Sequence, residues 1–339
     1  MVTEIPQQDW KNLFEAAIRY HRAAPWKGLT DGQLFGVVNP EDGQRGYCSV
    51  MGQMGDYIAL GLYPGAEGFQ SYQMVYSENP DDDPGETMYK QRCIIAAFES
   101  EDELDPEDRM LIESMNLEYE GPRVWPTFRS YRPGFLPWAL DAEEVRFMTV
   151  AFEQALAIAA QTLTDPEALP EFKAGQETVL FRQEGENGWE SAQLKPDSGV
   201  NFSPDIMGFD AEALQQSIAG LRSNSGIWLI QMFHLERPVM EEGDERPYFP
   251  KAIVFMEVAT QRVLGMDAVK PWETVEETAA TLIECMEHHS NRPEQLVVSS
   301  KEHYIFFKPF CKAASIELHL DPEMYIVPAL KETLFGRMG

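Results

Sequence analysis

Apolar positions recur at two spacings along this chain, and the switching between them outlines its architecture. From residue 226 onward, short apolar runs alternate with amphipathic stretches. GIWLIQMFHLE (226–236) and KAIVFMEVA (251–259) carry Ile227, Trp228, Ile230, Val254, Phe255 and Val258, the branched and aromatic residues that suit a pleated sheet. QRVLGMDAV follows after a residue or two, which predicts an antiparallel hairpin turning near Ala259-Thr260. Beyond Pro271 the apolar positions Val275, Ala279, Leu282, Ile283 and Met286 move to helical spacing and predict a helix from 273 to about 290. QLVVSS (295–300) and SIELHL (315–320) read as buried parallel strands. Tyr304, Phe307, Phe310 and Cys311 mark a helix between them, and Asp321-Pro322 opens a last helix over 322–335. The order is strand, strand, strand, helix, strand, helix, strand, helix: a mixed sheet on the ribonuclease H-like plan.

The N-terminal half has a different rhythm. After an amphipathic first helix, residues 33–65 alternate apolar runs with turn signals at 39–43 and 52–56, a meander of about three antiparallel strands closed by Pro64-Gly65. GAEGFQSYQMVYS then predicts a helix with Phe69, Tyr72 and Tyr76 on one face. ENPDDDPGET (78–87) reads as an exposed acidic loop, since its aspartates lack the alternating ligands and bidentate Glu of a calcium loop. QRCIIAAFES (91–100) is a strand, and Asp105-Pro106 opens a helix with Met110, Leu111, Met115 and Leu117 inward. Residues 141–163 are the longest helix, begun by a capping box of Asp141 and Glu144. A small hairpin, VLFRQ and WESAQL, follows it. The fold class expected is an N-terminal α+β part, residues 1–200, followed by the ribonuclease H-like α/β part, residues 201–339. A fragment covering 205–339 holds strands and helices enough for a core of its own.

Between the acidic helix and the long helix lies GPRVWPTFRSYRPGFLPW (121–138), in which Pro122, Pro126, Pro133 and Pro137 alternate with aromatics and arginines. Proline excludes a helix or central strand here, so the segment is an extended, rigid path over the surface. Two readings stand. In one, the aromatics staple a loop while the arginines stack on rings or pair with carboxylates. In the other, Arg123, Arg129 and Arg132, with Trp125, Tyr131 and Trp138 as rigid anchors, form a site for a small anionic ligand or a protein partner.

The charge narrows the choice of partner. Lys and Arg number 27 against 56 Asp and Glu, a net charge of −29. Counterion release on nucleic acid needs clustered cations, so nucleic acid is disfavoured as a partner. Cys48, Cys93, Cys285 and Cys311 are far apart in apolar contexts and read as reduced, buried thiols in a reducing compartment. No apolar run reaches membrane-spanning length and the first helix has no signal-peptide core, so the expectation is a soluble, cytoplasmic protein without membrane contact. Neither a Gly-rich phosphate loop nor GxSxG nor HExxH is present, and no cofactor is implied.

LFGVVNPEDGQRGYCSVMG, LYPGAEGF, WPTFRSYRPGFLPW and RPYFPKAIVFMEVATQRVLG together resemble a bacterial group of tandem domains of unknown function. The resemblance covers most of the chain and implies two domains in the cytosol, with no activity to carry over. It also implies an aspartate near the end of the second strand of the second domain, where this chain has Glu257; that keeps a carboxylate but changes its reach.

Two-metal phosphoryl transfer needs three or four carboxylates converging on ions about 4 Å apart. On the ribonuclease H-like plan they come from the first strand, the first helix, the end of the fourth strand and the last helix. The first strand ends in Glu236, the first helix offers Glu276, Glu277, Glu284 and Glu287, the fourth strand ends in Ser299-Ser300, and the last helix begins with Glu323. If the chain is an enzyme, Glu257, Asp267 and Glu284 are its metal ligands; otherwise it has no metal or catalytic residues and serves as a binding or scaffold protein.

Overall fold

The computed structural model describes residues 5–76, 84–119, 121–173, 175–197, 211–223, 226–272, 275–324 and 326–335. The chain divides into two units: Met1–Asn79, Lys90–Pro133 and Pro137–Val200 in one, Pro80–Tyr89, Gly134–Leu136 and Asn201–Gly339 in the other.

In the first unit α1 (Gln7–Ala23) turns Leu13, Phe14, Ala17 and Tyr20 inward, and ends on Ala24 in the left-handed region. The meander forms as β1 (Phe35–Val38), β2 (Arg45–Met51) and β3 (Ala59–Pro64). Its first turn closes because the Asn39 side chain accepts from the Glu41 amide and Gly43 takes φ +76. Next come α2 (Gly65–Tyr76), β4 (Cys93–Glu99), α4 (Pro106–Ser114), β5 (Trp125–Tyr131), α5 (Ala142–Thr164), β6 (Val179–Gly185) and β7 (Gly188–Leu194); α3 (Pro84–Thr87) belongs to the second unit. Seven strands make one sheet in the order β5-β4-β3-β2-β1-β6-β7, antiparallel except for the β1–β6 pair. Helices α1 and α5 pack together over one face, where Tyr20, Phe98 and Phe152 are fully buried. Each such side chain contributes on the order of 2 kcal/mol by leaving water. On the other face α2 packs over β2 and β3 through Phe69 and Tyr72. The same face over β4 and β5 lies beyond α2, and there a hollow forms.

Two sequence expectations need correction here. Of the residues expected inward from α4, Met115 is buried and Leu111 and Leu117 pack partly buried against the core, but Met110 is 63% exposed and Ile112 is buried instead. The proline segment contains a regular strand, β5, and the prolines are tolerated because β5 is the edge of the sheet, with Pro126 standing opposite Phe98. The capping box of α5 forms as expected, the Asp141 carboxylate accepting from the Glu144 amide at 2.9 Å and the Glu144 carboxylate from the Asp141 amide at 3.0 Å.

The second unit is built on β9 (Ile227–His234), β10 (Lys251–Glu257), β11 (Arg262–Val269), α7 (Val275–His288), β13 (Gln295–Val298), α8 (Lys301–Ala314), β14 (Glu317–Leu320) and α9 (Val327–Phe335). Before it runs α6 (Ala211–Ile218), and β8 (Arg222–Ser223) pairs with β12 (Asn291–Arg292) in a separate two-stranded ladder. The five-stranded sheet has the order β11-β10-β9-β13-β14, antiparallel across β9, β10 and β11 and parallel across β9, β13 and β14. This is the mixed sheet of the ribonuclease H-like plan. The hairpin turns through Gln261 in the left-handed region. The last helix starts later than the sequence suggests: Pro322–Met324 is a single 3-10 turn and α9 begins at Val327. One apolar layer faces α6, α7 and α8 through Trp228, Ile230, Leu296 and Phe307, and the opposite layer faces α9 through Leu229, Phe233, Val297 and Leu330.

The stretch expected as an exposed loop at 78–87 ends otherwise. Residues 77–83, and with them the three aspartates, lie outside the described residues, but α3 is helical. Its Glu86 carboxylate accepts from the His234 backbone amide and lies 2.7 Å from His234 Nδ1, with Tyr89 stacked on the imidazole. All four cysteines are free and buried, and burial pushes the thiols up, to about 12 at Cys93 and about 11 at Cys285.

Candidate functional site

The hollow on the first unit's sheet begins with small residues. Along one face, Thr127 of β5 pairs with Ala97 of β4, so two neighbouring strands present short side chains side by side. Larger neighbours stand around them: Tyr131 at the end of β5, Tyr57 ahead of β3, and Glu99 at the end of β4. The far wall is the acidic turn before α4 and its first residues, Glu103, Asp105 and Asp108. A cavity of about 320 Å³ results, near the lower end of the range for small-molecule sites.

Arg129 crosses its edge. The guanidinium donates to both oxygens of Asp108, at 2.9 and 2.5 Å, and to Asp105 at 3.0 Å, a forked geometry that a lysine cannot reproduce. Paired in this way, Arg129 is held more strongly protonated than usual, chiefly by the Asp108 hydrogen bond. The Glu99 carboxyl moves up from its ordinary range, first because it is partly buried and then because Glu103 stands beside it. Burial likewise pushes the Tyr57 and Tyr131 phenols up.

The residues named from the sequence fall in three places. Arg129 and Tyr131 line the cavity. Trp125, on the same face of β5, stacks on Tyr119 at 4.6 Å, and Arg123 donates to the backbone carbonyl of Asp56. Arg132 and Trp138 lie apart from it. Arg132 donates to Asp141 at 2.8 Å and Glu144 at 3.1 Å, which ties the strand to the start of α5, and Trp138 bridges back to Ser130 through paired backbone hydrogen bonds. Sequence reading missed Tyr57, Ala97, Glu99 and Thr127. Nothing in their own neighbourhoods distinguishes them, because the cavity exists only once β3, β4 and β5 pair.

In the second unit the three conditional metal candidates do not converge. Glu257 ends β10 and accepts from Thr260, while Asp267 stands opposite Ile253, four residues back along the ladder and about 13 Å away at the strand rise. Glu284 is exposed on α7. Of the other carboxylates considered, Glu236 lies beyond the end of β9 and Glu323 is exposed on the 3-10 turn; the side chains of Glu276 and Glu277 lie outside the described residues. The place where first strand, fourth strand and last helix meet holds Gln231 and Ser299. One step beyond the Ile230–Val298 register, the fully buried Gln231 amide donates to Ser299 Oγ at 3.2 Å and to the Met324 carbonyl at 3.4 Å, while its carbonyl accepts from the Ile326 amide at 3.4 Å. Ser300 instead caps α8, accepting from the His303 amide. Among the described residues no group of three or more His, Cys, Asp or Glu is arranged to hold a metal ion. Nor is any helix among them long and apolar enough to cross a membrane.

No curated protein matches the chain. Solved structures with some likeness include the HTLV-2 integrase catalytic core domain in complex with magnesium, in its trimeric form (TM-score 0.26, 15% identity, 35% of this chain and 72% of that one) and its dimeric form (TM-score 0.26, 16% identity, 35% and 74%). Another is the simian T-cell lymphotropic virus intasome in complex with PP2A regulatory subunit B56 gamma, at TM-score 0.24, 16% identity, 33% of this chain and 40% of that one. Residues 215–335 match the model of a Domain of unknown function (DUF6930). Residues 10–182, just over half the chain, match that of a Domain of unknown function (DUF7309), so this tandem protein belongs to the DUF7309 family.

Proposed function

We propose that this is a non-catalytic binding protein of the cytosol, in which the ribonuclease H-like unit serves as scaffold and the first unit's cavity receives the ligand. The observation that carries the reading is the neutral Gln231–Ser299 pair. Two-metal chemistry needs anionic oxygens at the junction of first strand, fourth strand and last helix, and an amide and a hydroxyl offer a divalent ion little. Here both are also engaged with each other and with the backbone leading into α9, which is the satisfied state of a structural network. The net charge of −29 further weighs against nucleic acid.

The test is direct. The full chain, incubated with labelled single- and double-stranded DNA and RNA in magnesium or manganese, is expected to leave them intact. Its melting temperature is expected to move little with either ion, since a ligand stabilises only with the logarithm of its occupancy. Cleavage, or a manganese stabilisation that vanishes in Glu257→Gln, would overturn the reading and make the protein a metal-dependent nuclease or phosphotransfer enzyme.

A further inference from the structure

We infer that this protein forms a two-fold homodimer in which β11 pairs with β11 of a second copy. β11 is an outer strand of the five-stranded sheet, with β10 on one side only. Two large apolar side chains on it face solvent, Val263 at 38% and Met266 at 50% exposure. Three residues apart, they would lie on opposite faces of a regular strand. A bulge brings them to the same face: the register shifts between Phe255 and Met256, so that Met266 stands opposite Val254 and Val263 opposite Met256. Arg262 and Asp267, both exposed, stand opposite Glu257 and Ile253 on the other face.

The backbone of this edge is open at the same two residues. The Leu235 amide donates to the Pro250 carbonyl, and by alternation along the β9–β10 ladder Ala252, Val254 and Met256 direct their backbone groups toward β9. Their neighbours on β11, Ala268, Met266 and Val263, therefore direct theirs away from β10. Side chains already occupy part of this row. The Ala268 amide donates to Asp267 Oδ1 at 2.8 Å, and His289 Nε2 meets the Leu264 carbonyl at 2.8 Å. Such stoppers blunt an edge against unregistered pairing, and they leave Val263 and Met266 as the places where a further strand can add.

A second copy fits there because the strand is its own complement. In antiparallel pairing about a two-fold axis between Leu264 and Gly265, Val263 of each copy stands opposite Met266 of the other, and Arg262 opposite Asp267. Val263 and Met266 become the hydrogen-bonded pairs. Their four side chains close into one apolar cluster, and two ion pairs form on the other face. Charge permits the approach: residues 261–270 hold Arg262 and Lys270 against Asp267, a local +1 in a chain of −29. The sheet's other edge, β14, offers no such match, since its exposed residue is Glu317 and none of its large apolar side chains is exposed. One short strand buries well under the roughly 1,600 Å² of a standard interface, so the dimer is a weak one, dissociating in the micromolar range.

Sedimentation velocity of the full chain from about 1 to 500 µM should show a monomer–dimer equilibrium. Met266→Lys should weaken it roughly tenfold or more by placing an unpaired charge in the apolar cluster. Arg262→Asp should do the same by setting two aspartates against each other, and the double exchange Arg262→Asp with Asp267→Arg should restore the dimer. Circular dichroism and melting check each fold; Arg262→Asp, at an exposed side chain, carries the test if Met266→Lys fails to fold. A chain monomeric throughout the range would overturn the inference. A dimer indifferent to both single variants would place the interface elsewhere and overturn it too. A dimer that Met266→Lys breaks and Arg262→Asp does not, or that the double exchange fails to restore, would overturn the two-fold register.

Discussion

At Arg129 one guanidinium meets two carboxylates while its neighbourhood on the sheet stays half open, so its worth lies between a surface ion pair and a buried one. Asp108 is the better shielded partner, with 13% of its side chain exposed against 68% for Asp105. Truncation to Arg129→Ala strips a forked, charge-assisted pair from Asp108 and should cost about 2 kcal/mol in urea denaturation. A loss below roughly 0.5 kcal/mol would mean that solvent screens the pair as it does at ordinary surfaces. Glu99 makes the opposite case, a carboxyl whose folded value is raised by burial and by Glu103. Such a group favours the folded state while protonated. Its contribution is fully present below the unfolded value of about 4.3 and is lost as pH rises through the folded value. Glu99→Gln should therefore match the parent chain at pH 4 and melt higher than it at pH 8. A variant that melts lower at pH 8 would show that Glu99 makes a stabilising contact as the anion.

Among the elements, α5 depends most on a local device. Asp141 and Glu144 exchange hydrogen bonds across its first turn, and both also receive Arg132 from the chain that follows β5. One side chain thus closes the helix and anchors the proline segment. Asp141→Ala should cost about 1 kcal/mol for the cap, while Arg132 keeps Glu144 and limits the further loss; Asp141→Asn, which preserves an acceptor, should recover most of it by thermal melting. Equal losses in the two variants would assign the effect to the ion pair. Elsewhere the packing of elements overrode their local pattern. The prolines of the 121–138 segment did not prevent a strand, because at a sheet edge one row of backbone donors has no ladder to serve.

For the molecule as a whole, the second unit is not continuous in sequence. It includes 84–89, whose Glu86 meets the buried His234, and 134–136, whose Phe135 stacks on Trp272 at 4.8 Å. A fragment of 205–339 lacks both, leaving the His234 amide and imidazole without that carboxylate in a buried setting. It should unfold over a broad transition and bind a hydrophobic dye, where the full chain unfolds sharply. A sharply cooperative fragment would show that the C-terminal strands and helices suffice, as their sequence alone suggests.

The sequence by itself determined what depends on neighbours along the chain. The short β-rich apolar runs of β9, β10 and β13, the capping box of α5, the Asn39–Gly43 turn and the buried character of all four cysteines were legible because residue type, spacing and turn chemistry act over a few residues. Strand and helix order also sufficed for the ribonuclease H-like plan, since connections between such elements have few right-handed solutions. The candidate sites were a matter for tertiary structure. Thr127 and Ala97 become one floor only through the register of β4 and β5, and Gln231 meets Ser299 only through a parallel pairing across 68 residues. Side-chain periodicity tells which face a residue is on, but not which residue of another strand stands beside it; that is decided by pairing, and pairing is settled by the packing of the whole core.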